Sequence, residues 1–182
     1  MTIATPQQVL DFWFEALTPR DWFRKDTELD RAIAERFGET LAAAAHCECW
    51  RWRETPPGRL AEILVLDQFS RNVHRDTPAA FAQDPLALAL AQETIAAGDD
   101  ARLPTPQRIF VYMPFMHSES LAIHDRATGL FDQPGMEEQV RFEHRHREII
   151  ERFGRYPHRN AILGRKSTPE EIEFLRQPGS SF

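Results

Sequence analysis

Residues 55–69, TPPGRLAEILVLDQF, decide the fold. Wound as an α-helix, this stretch carries apolar side chains on nearly every side. A helix that is apolar all round is covered by other helices rather than lying at a surface. The stretch therefore predicts a buried helix.

Helix start signals stand on both sides of this buried segment. In residues 5–17, TPQQVLDFWFEAL, we expect Thr5 to be the N-cap and Gln8 to complete a capping box. Near the other end of the chain, Thr168 and Glu171 have the same spacing and predict a last short helix. Further helices are predicted over 26–41, 84–98, 105–116, 118–131 and 135–154.

No stretch shows the sustained alternation of a half-buried strand. The sequence therefore predicts an all-α protein of about seven to nine helices, paired as helical hairpins by short loops. No linker or low-complexity segment interrupts the 182 residues, so we expect a single compact domain over residues 1–182.

Charge and composition exclude several classes of function. The net charge of −6 argues against broad binding to nucleic acid or to an anionic membrane. We expect neither a membrane span nor a signal peptide, because no apolar run has the length or position of one. Arginine makes up nearly all of the 22 basic residues. Arginine suits the bidentate binding of carboxylates and phosphates, although GC-rich coding DNA also enriches it.

The two cysteines, Cys47 and Cys49, are only two residues apart. This spacing does not suggest a disulfide framework and fits a reducing cytoplasm. We expect both to be ordinary helix residues whose side chains point apart, which is a poor arrangement for a metal. The sequence thus predicts no metal site, and no motif identifies a cofactor.

A carboxylate lies on the apolar face of the central helix. Asp67 shares the face of Leu60, Ile63 and Leu64. A buried carboxylate must be paired or it becomes protonated. Arg71 follows four residues later, the favourable order for an ion pair on a helix.

Two further segments direct titratable side chains towards the core. His146 falls within an apolar stripe that runs from Phe142 to Phe153. His117 ends the stripe of the 105–116 helix, and Glu119 follows it. Each residue alone is explained by hydrogen bonding in a core. Together with Asp67, they predict one shared site with acid–base groups.

The heptad Phe-x-Arg-x-x-His-Arg occurs twice, as FSRNVHR at 69–75 and FGRYPHR at 153–159. Each copy predicts a loop that leaves a helix. The two loops and their surroundings supply cations and amides for the predicted site: Arg71, Asn72, His74, Arg75, Arg155, His158, Arg159, Asn160 and Arg165. Two interpretations stay open. The arginines form an anion clamp, or they tie the loops to Asp67, Glu119 and Glu151 as a structural network.

Five segments carry a resemblance to a known family: VLDFWF at 9–14, WFRKDTELDRAIAERF at 22–37, LVLDQFSRNVHRDTPAAFAQD at 64–84, FVYMPFMHSE at 110–119 and IIERFGRYPHRNAILGRKSTPEEIEFL at 149–175. With these segments the chain resembles the bacterial proteins grouped as domain of unknown function 924. The resemblance implies a tetratricopeptide-like α-α superhelix and no assigned reaction.

The motifs of the family map onto the predicted site residues: Asp67, Gln68, Arg71, Asn72, Arg75, His117, Glu119, His146, Arg155, His158, Arg159, Asn160 and Arg165. Two positions depart from the pattern. Ile123-His124 stands where such proteins commonly have Asp-Gln, and Val73-His74 is also atypical.

Two functions of different classes fit these features. The first is a binder or enzyme for an anionic small molecule, in which Asp67, His117, Glu119 and His146 do acid–base work. The second is an interaction module whose helix pairs offer a groove to a peptide or protein. An enzyme gathers its polar residues in one pocket, whereas a repeat module spreads them along a concave face.

Overall fold

The computed structural model describes residues 2–181. It contains ten α-helices: α1 Pro6–Asp11, α2 Pro19–Trp22, α3 Thr27–Ala45, α4 Pro56–Leu64, α5 Ser70–Val73, α6 Asp84–Ala96, α7 Thr105–Met116, α8 Leu121–Phe131, α9 Glu137–Phe153 and α10 Pro169–Leu175. No strand occurs within the described part of the chain, and the all-α prediction is confirmed.

Two π-helical turns extend the α-helices. Phe12–Ala16 continues α1, and Val65–Phe69 joins α4 to α5 in one unbroken helix. Counted this way, residues 2–181 form nine separate helices, which lies within the predicted range. Single π-turns inside helices are frequent near functional sites.

The helix ends predicted at Thr5, Gly154 and Thr168 are confirmed, whereas α3 runs on to Ala45 and α8 begins only at Leu121. Thr5 caps α1 and forms a capping box with Gln8. Thr168 and Glu171 form the same box at α10. Gly154 follows α9 with a φ of 69°, a left-handed conformation that glycine adopts without steric cost.

The chain forms two compact units. The first comprises the chain up to Arg75 together with Ala79–Pro114, and the second comprises Asp76–Pro78 and the chain from Phe115 onwards. The predicted single domain and the tetratricopeptide-like superhelix stay predictions.

In the first unit, α4 is buried as its sequence predicts. Leu60, Ile63 and Leu64 are fully inaccessible to solvent. The helix packs against α1 and α6, and the π-turn that follows it packs against α3. At that turn the ring centroid of Phe69 lies 4.9 Å from that of Phe37 and 6.2 Å from that of Phe12.

In the second unit, α8 packs along α9. Ile149, Ile150 and Tyr156 form its apolar core. The predicted apolar stripe of α9 is wrong at one end, since Phe142 is 41% exposed while the adjacent Glu143 is fully buried. The turn of the helix therefore brings Glu143, not Phe142, onto the face of His146.

The prediction that both cysteines are helix residues is also wrong. Helix α3 ends at Ala45, and Cys47 lies in the following turn with a φ of 60°. Both thiols are free. None of the helices between residues 2 and 181 is long and apolar enough to cross a membrane.

Candidate functional site

The predicted site residues are divided between the two units. The first unit holds Asp67, Gln68, Arg71, Asn72 and Arg75, and the second holds His117, Glu119, His146, Arg155, His158, Arg159, Asn160 and Arg165. That both groups form one site stays a prediction. Each group has a defined geometry within its own unit.

In the first unit, Asp67 is a buried and paired carboxylate, as predicted. It is 1% exposed, and its Oδ1 lies 3.2 Å from Nη1 of Arg71. The amide of Gln68 donates to its Oδ2 at 2.5 Å. Arg71 also donates to both carboxylate oxygens of Asp84, at 2.9 and 3.1 Å. The Arg71 guanidinium thus joins the central helix to the start of α6.

The remaining residues of the first group converge on Asp30. Arg75 donates to its two carboxylate oxygens at 2.5 and 2.7 Å, and the Asn72 amide donates at 2.8 Å. These bonds tie the turn after α5 to α3. In the first heptad, both arginines therefore hold carboxylates of the protein itself, which supports the structural interpretation for Arg71 and Arg75.

In the second unit, the ring of Tyr156 is surrounded by basic side chains. The ring centroids of His124, His146 and His158 lie 6.3, 5.8 and 5.7 Å from its own centroid. The guanidinium carbon of Arg159 lies 4.7 Å above the same ring. We call these three histidines, together with His117, whose charge also acts on His146 and whose carbonyl accepts from Arg159, the histidine cluster.

The end of α9 explains why Tyr156 enters this cluster. Gly154 takes the left-handed conformation that ends the helix, and the chain turns back on itself. Tyr156 is fully buried two residues later. A short 3₁₀ turn, Pro157–Arg159, then brings His158 and Arg159 alongside the tyrosine.

His146 is held in its neutral form. Burial is the largest cause that lowers the pKa of its imidazole from 6.5 to about 3, and the charges of His117, His124 and His158 contribute to the same shift. Its Nδ1 lies 2.7 Å from the carbonyl oxygen of Phe142, so Nδ1–H donates. The lone pair of the neutral ring is therefore on Nε2, which can accept a proton or a hydrogen bond.

Glu119 is a fixed anion rather than a proton donor. Arg165 donates to its two oxygens at 2.6 and 2.8 Å, and the backbone N–H of Tyr156 donates at 2.7 Å. Burial alone would raise the pKa of Glu119, but these hydrogen bonds outweigh it and lower the pKa. Arg165 also donates to the side-chain oxygen of Asn160 at 2.9 Å, which orders the loop.

Three consecutive carbonyl groups, that of the last residue of α7 and those of the two residues after it, accept hydrogen bonds from side chains. The Tyr156 hydroxyl donates to Met116 at 2.6 Å, Arg159 donates to His117 at 3.1 Å, and Nε2 of His124 lies 2.8 Å from the oxygen of Ser118. Carbonyls at a helix C-terminus have no partner within the helix. Here the cluster supplies those partners and fixes the backbone around His117.

The model of a family described as bacterial protein of unknown function, DUF924, matches residues 9–179. The chain belongs to this family. It is also similar to the solved structure of a protein of unknown function, ATU0120 from Agrobacterium tumefaciens, with 42% identity and a TM-score of 0.89. That match covers 93% of this chain and 96% of the other. Among curated proteins, none matches.

In this DUF924 protein, sequence reasoning missed three residues that belong to the cluster or contact it: His124, Glu143 and Tyr156. His124 is fully buried, and its Nδ1 lies 2.6 Å from Oε1 of Glu143, which is buried as well. The spacing on α9 carried a signal for Glu143, because it lies three residues before His146 on the same face. No comparable signal marked Tyr156, which only the turn at Gly154 brings inside.

One predicted structural tie is wrong. Glu151 is exposed and accepts from Arg147 at 3.1 Å, not from an arginine of either heptad. Arg155 instead donates to both oxygens of Glu171, at 2.6 and 2.8 Å. Glu171 is 2% exposed, and the bond from Arg155 lowers its pKa to about 2.

Two surface cavities are lined by residues outside the cluster. One of about 190 Å³ is lined by Ile3, Gln8, Arg36 and their neighbours, and one of about 420 Å³ extends from Asp132 to Val140. Neither cavity is lined by a histidine of the cluster. We give the cluster more weight than either cavity, because it alone combines buried titratable groups with defined hydrogen bonds. No group of three or more His, Cys, Asp or Glu in residues 2–181 is arranged to hold a metal ion.

Proposed function

We propose that the histidine cluster binds a small anionic molecule, such as a phosphate or a carboxylate. The observation that carries this proposal is the packing of three imidazoles and one guanidinium around the ring of Tyr156. Tyr156 is fully buried, whereas His117 and His158 are half-buried. A ligand would therefore meet these two outer histidines first.

Electrostatics supports an anion as the ligand. Burial is the main cause of the low pKa of His146, and charges on His117, His124 and His158, when these rings are protonated, add to it by repulsion. The charge of Arg159 reaches the same region, since it contributes to the lowered pKa of Glu119. A bound anion would relieve this repulsion and be bound more tightly for that reason.

The proposal assigns proton transfer to only two of the four predicted acid–base residues. Asp67 and Glu119 are bound by Arg71 and Arg165, and we assign them structural roles. His117 and His146 are assigned to proton transfer. A base with a pKa of about 3 is weak near neutral pH, but an anion beside it raises that pKa. His146 would thus become an effective base only when the site is occupied.

The proposal also assigns fewer arginines to the anion than the sequence predicts. Arg71, Arg75, Arg155 and Arg165 each hold a carboxylate of the protein. Arg159, stacked on Tyr156 and bonded to the carbonyl of His117, is the arginine that we assign to the anion.

The alternative of a peptide-binding module is less well supported. Such a module would spread its polar residues along a concave face. In the second unit they instead gather around one tyrosine side chain. The two free thiols support our further proposal that the protein works in the reducing cytoplasm.

Thermal unfolding with low millimolar phosphate or succinate tests the proposal. Binding to the folded state alone stabilises it by about 2.7 kcal/mol at a hundredfold excess over the dissociation constant. We expect the wild type to gain in melting temperature and His158→Asn to gain much less. Sulfate at high concentration is avoided, because its exclusion from protein surfaces also stabilises them.

His144→Asn is the matched control for this experiment. His144 is exposed on α9, whereas His146 two residues later is buried. The control should respond to both anions as the wild type does. Equal gains in the wild type and His158→Asn with every anion tried would exclude His158 from the site and contradict the proposal.

A further inference from the structure

One histidine of the cluster, His124, is paired with a buried carboxylate, and this pair has no role in the proposed binding step. His124 of α8 and Glu143 of α9 are both fully inaccessible to solvent. Nδ1 of His124 lies 2.6 Å from Oε1 of Glu143, and this contact contains one proton. No protein donor within residues 2–181 reaches the second oxygen, Glu143 Oε2. An unsatisfied buried carboxylate oxygen is costly, so stability alone does not account for this pair.

The partners of the other ring nitrogen of His124 define whether it donates or accepts. Nε2 lies 2.8 Å from the carbonyl oxygen of Ser118 and 3.1 Å from the hydroxyl oxygen of Tyr156. A carbonyl oxygen can only accept, so Nε2 carries a proton. The Tyr156 hydroxyl already donates to Met116, and its oxygen can therefore accept from the same Nε2–H.

These hydrogen bonds connect Glu143, through His124 and Tyr156, to the backbone on both sides of His117. His124 holds the carbonyl of Ser118, and Tyr156 holds the carbonyl of Met116. The two carbonyls flank His117 on either side along the chain. Any rotation of the His124 ring would release Ser118 and loosen the backbone that carries His117.

We propose that Glu143 and His124 are positioning residues of the histidine cluster. Glu143 fixes the orientation of the His124 ring, and His124 in turn holds the His117 segment where an anionic ligand meets it. Carboxylates orient histidines in this way at many metal and catalytic sites. The inference rests on the proposed function, since it assigns His117 to the ligand.

The wild type alone gives a first test. Long-range proton–nitrogen NMR correlations show which ring nitrogens of a histidine are protonated. We expect Nε2 of His124 to carry a proton at neutral pH. A His124 ring without a proton on Nε2 would overturn the inference before any variant is made.

The second test compares Glu143→Gln with Glu148→Gln. The first substitution keeps the shape of the side chain and removes its charge, and the second is a matched control at an exposed position of α9. In Glu143→Gln we expect shifted ring signals of both His124 and His117. We also expect phosphate affinity to fall about tenfold, the lower end of what the loss of an orienting partner costs at metal-bound histidines. Glu148→Gln should match the wild type in both readouts.

The two readouts separate this inference from the proposed function. If the folded Glu143→Gln protein retains the His117 signals of the wild type, the positioning role is wrong whatever the affinity. If wild type itself does not bind phosphate or succinate, the proposed function fails, and the His117 signals alone decide the positioning role. Should Glu143→Gln not fold, His124→Gln replaces it under the same criteria, and the wild-type protonation test still applies.

Discussion

At the scale of single residues, His146 gives the clearest dependence on pH. Its pKa is about 3 in the folded protein against an ordinary value of 6.5. As pH falls below 6.5, His146 binds a proton in the unfolded chain but not in the folded protein. We therefore expect stability to fall by about 1.4 kcal/mol per pH unit from this group, between pH 6.5 and 3.

Urea unfolding at several pH values measures this contribution. Above pH 6.5 the residue is neutral in both states and contributes no slope. His146→Gln removes the titrating group, so its stability should depend less on pH in the acidic window, while His144→Gln should follow the wild type. The same acidic slope in wild type and His146→Gln would mean that His146 is not held neutral.

The sequence predicted some residues of the site better than others, for physical reasons. Asp67 and His146 were found because a polar group on an apolar helix face stands out. Phe142 and Glu143 were assigned to the wrong faces, because one residue shifts a helical position by about 100° and the apolar stripe of α9 is interrupted by charges. Tyr156 lies beyond the helix end, where periodicity gives no information.

At the scale of elements, α10 depends on an ion pair between buried Glu171 and half-buried Arg155. Glu171 belongs to the capping box of this short helix and accepts both bonds from Arg155. The bond from Arg155 holds the pKa of Glu171 at about 2, below its ordinary value of 4.5. The pair therefore stabilises the fold above pH 4.5, and this stabilisation is lost as pH falls from 4.5 towards 2.

Arg155→Gln tests this role. Removing Arg155 leaves the charge of the buried Glu171 carboxylate without its main partner. We expect the variant to be less stable than the wild type at pH 7, and the difference to shrink below pH 4.5. Arg176→Gln, at an exposed arginine bonded to exposed Glu173, is the control and should change stability by less than about 0.5 kcal/mol. A pH-independent difference for Arg155→Gln would show that Glu171 is not the partner that matters.

Local signals decided how well the elements were predicted. Capping boxes and helix-ending glycines act within a few residues, so Thr5, Thr168 and Gly154 were placed correctly. The π-turns at Phe12–Ala16 and Val65–Phe69 have no such local signal. The ring of Phe12 in the first turn contacts the ring of Phe69 in the second. Both turns therefore take part in a contact between residues that are distant in sequence.

At the scale of the whole molecule, the sequence leaves two roles open for the arginines. They bind an external anion, or they bind carboxylates of the protein itself. Four of the heptad and loop arginines bind carboxylates of the protein: Arg71, Arg75, Arg155 and Arg165. The role of an arginine depends on which carboxylates the fold places beside it, such as Asp84 beside Arg71 and Glu171 beside Arg155. These partners lie 13 and 16 residues from their arginines and follow no helical spacing.

The seven histidines of the chain are natural probes of the central claim, that an anion binds at the histidine cluster. The measurement is a phosphate titration at pH 7, followed through the ring signals of all seven histidines by proton–carbon NMR. The account predicts saturable shifts for His117, His146 and His158, with one dissociation constant, and no comparable shift for His46, His74 or His144. Unchanged cluster signals, or shifts confined to the exposed His46 and His144, would contradict it.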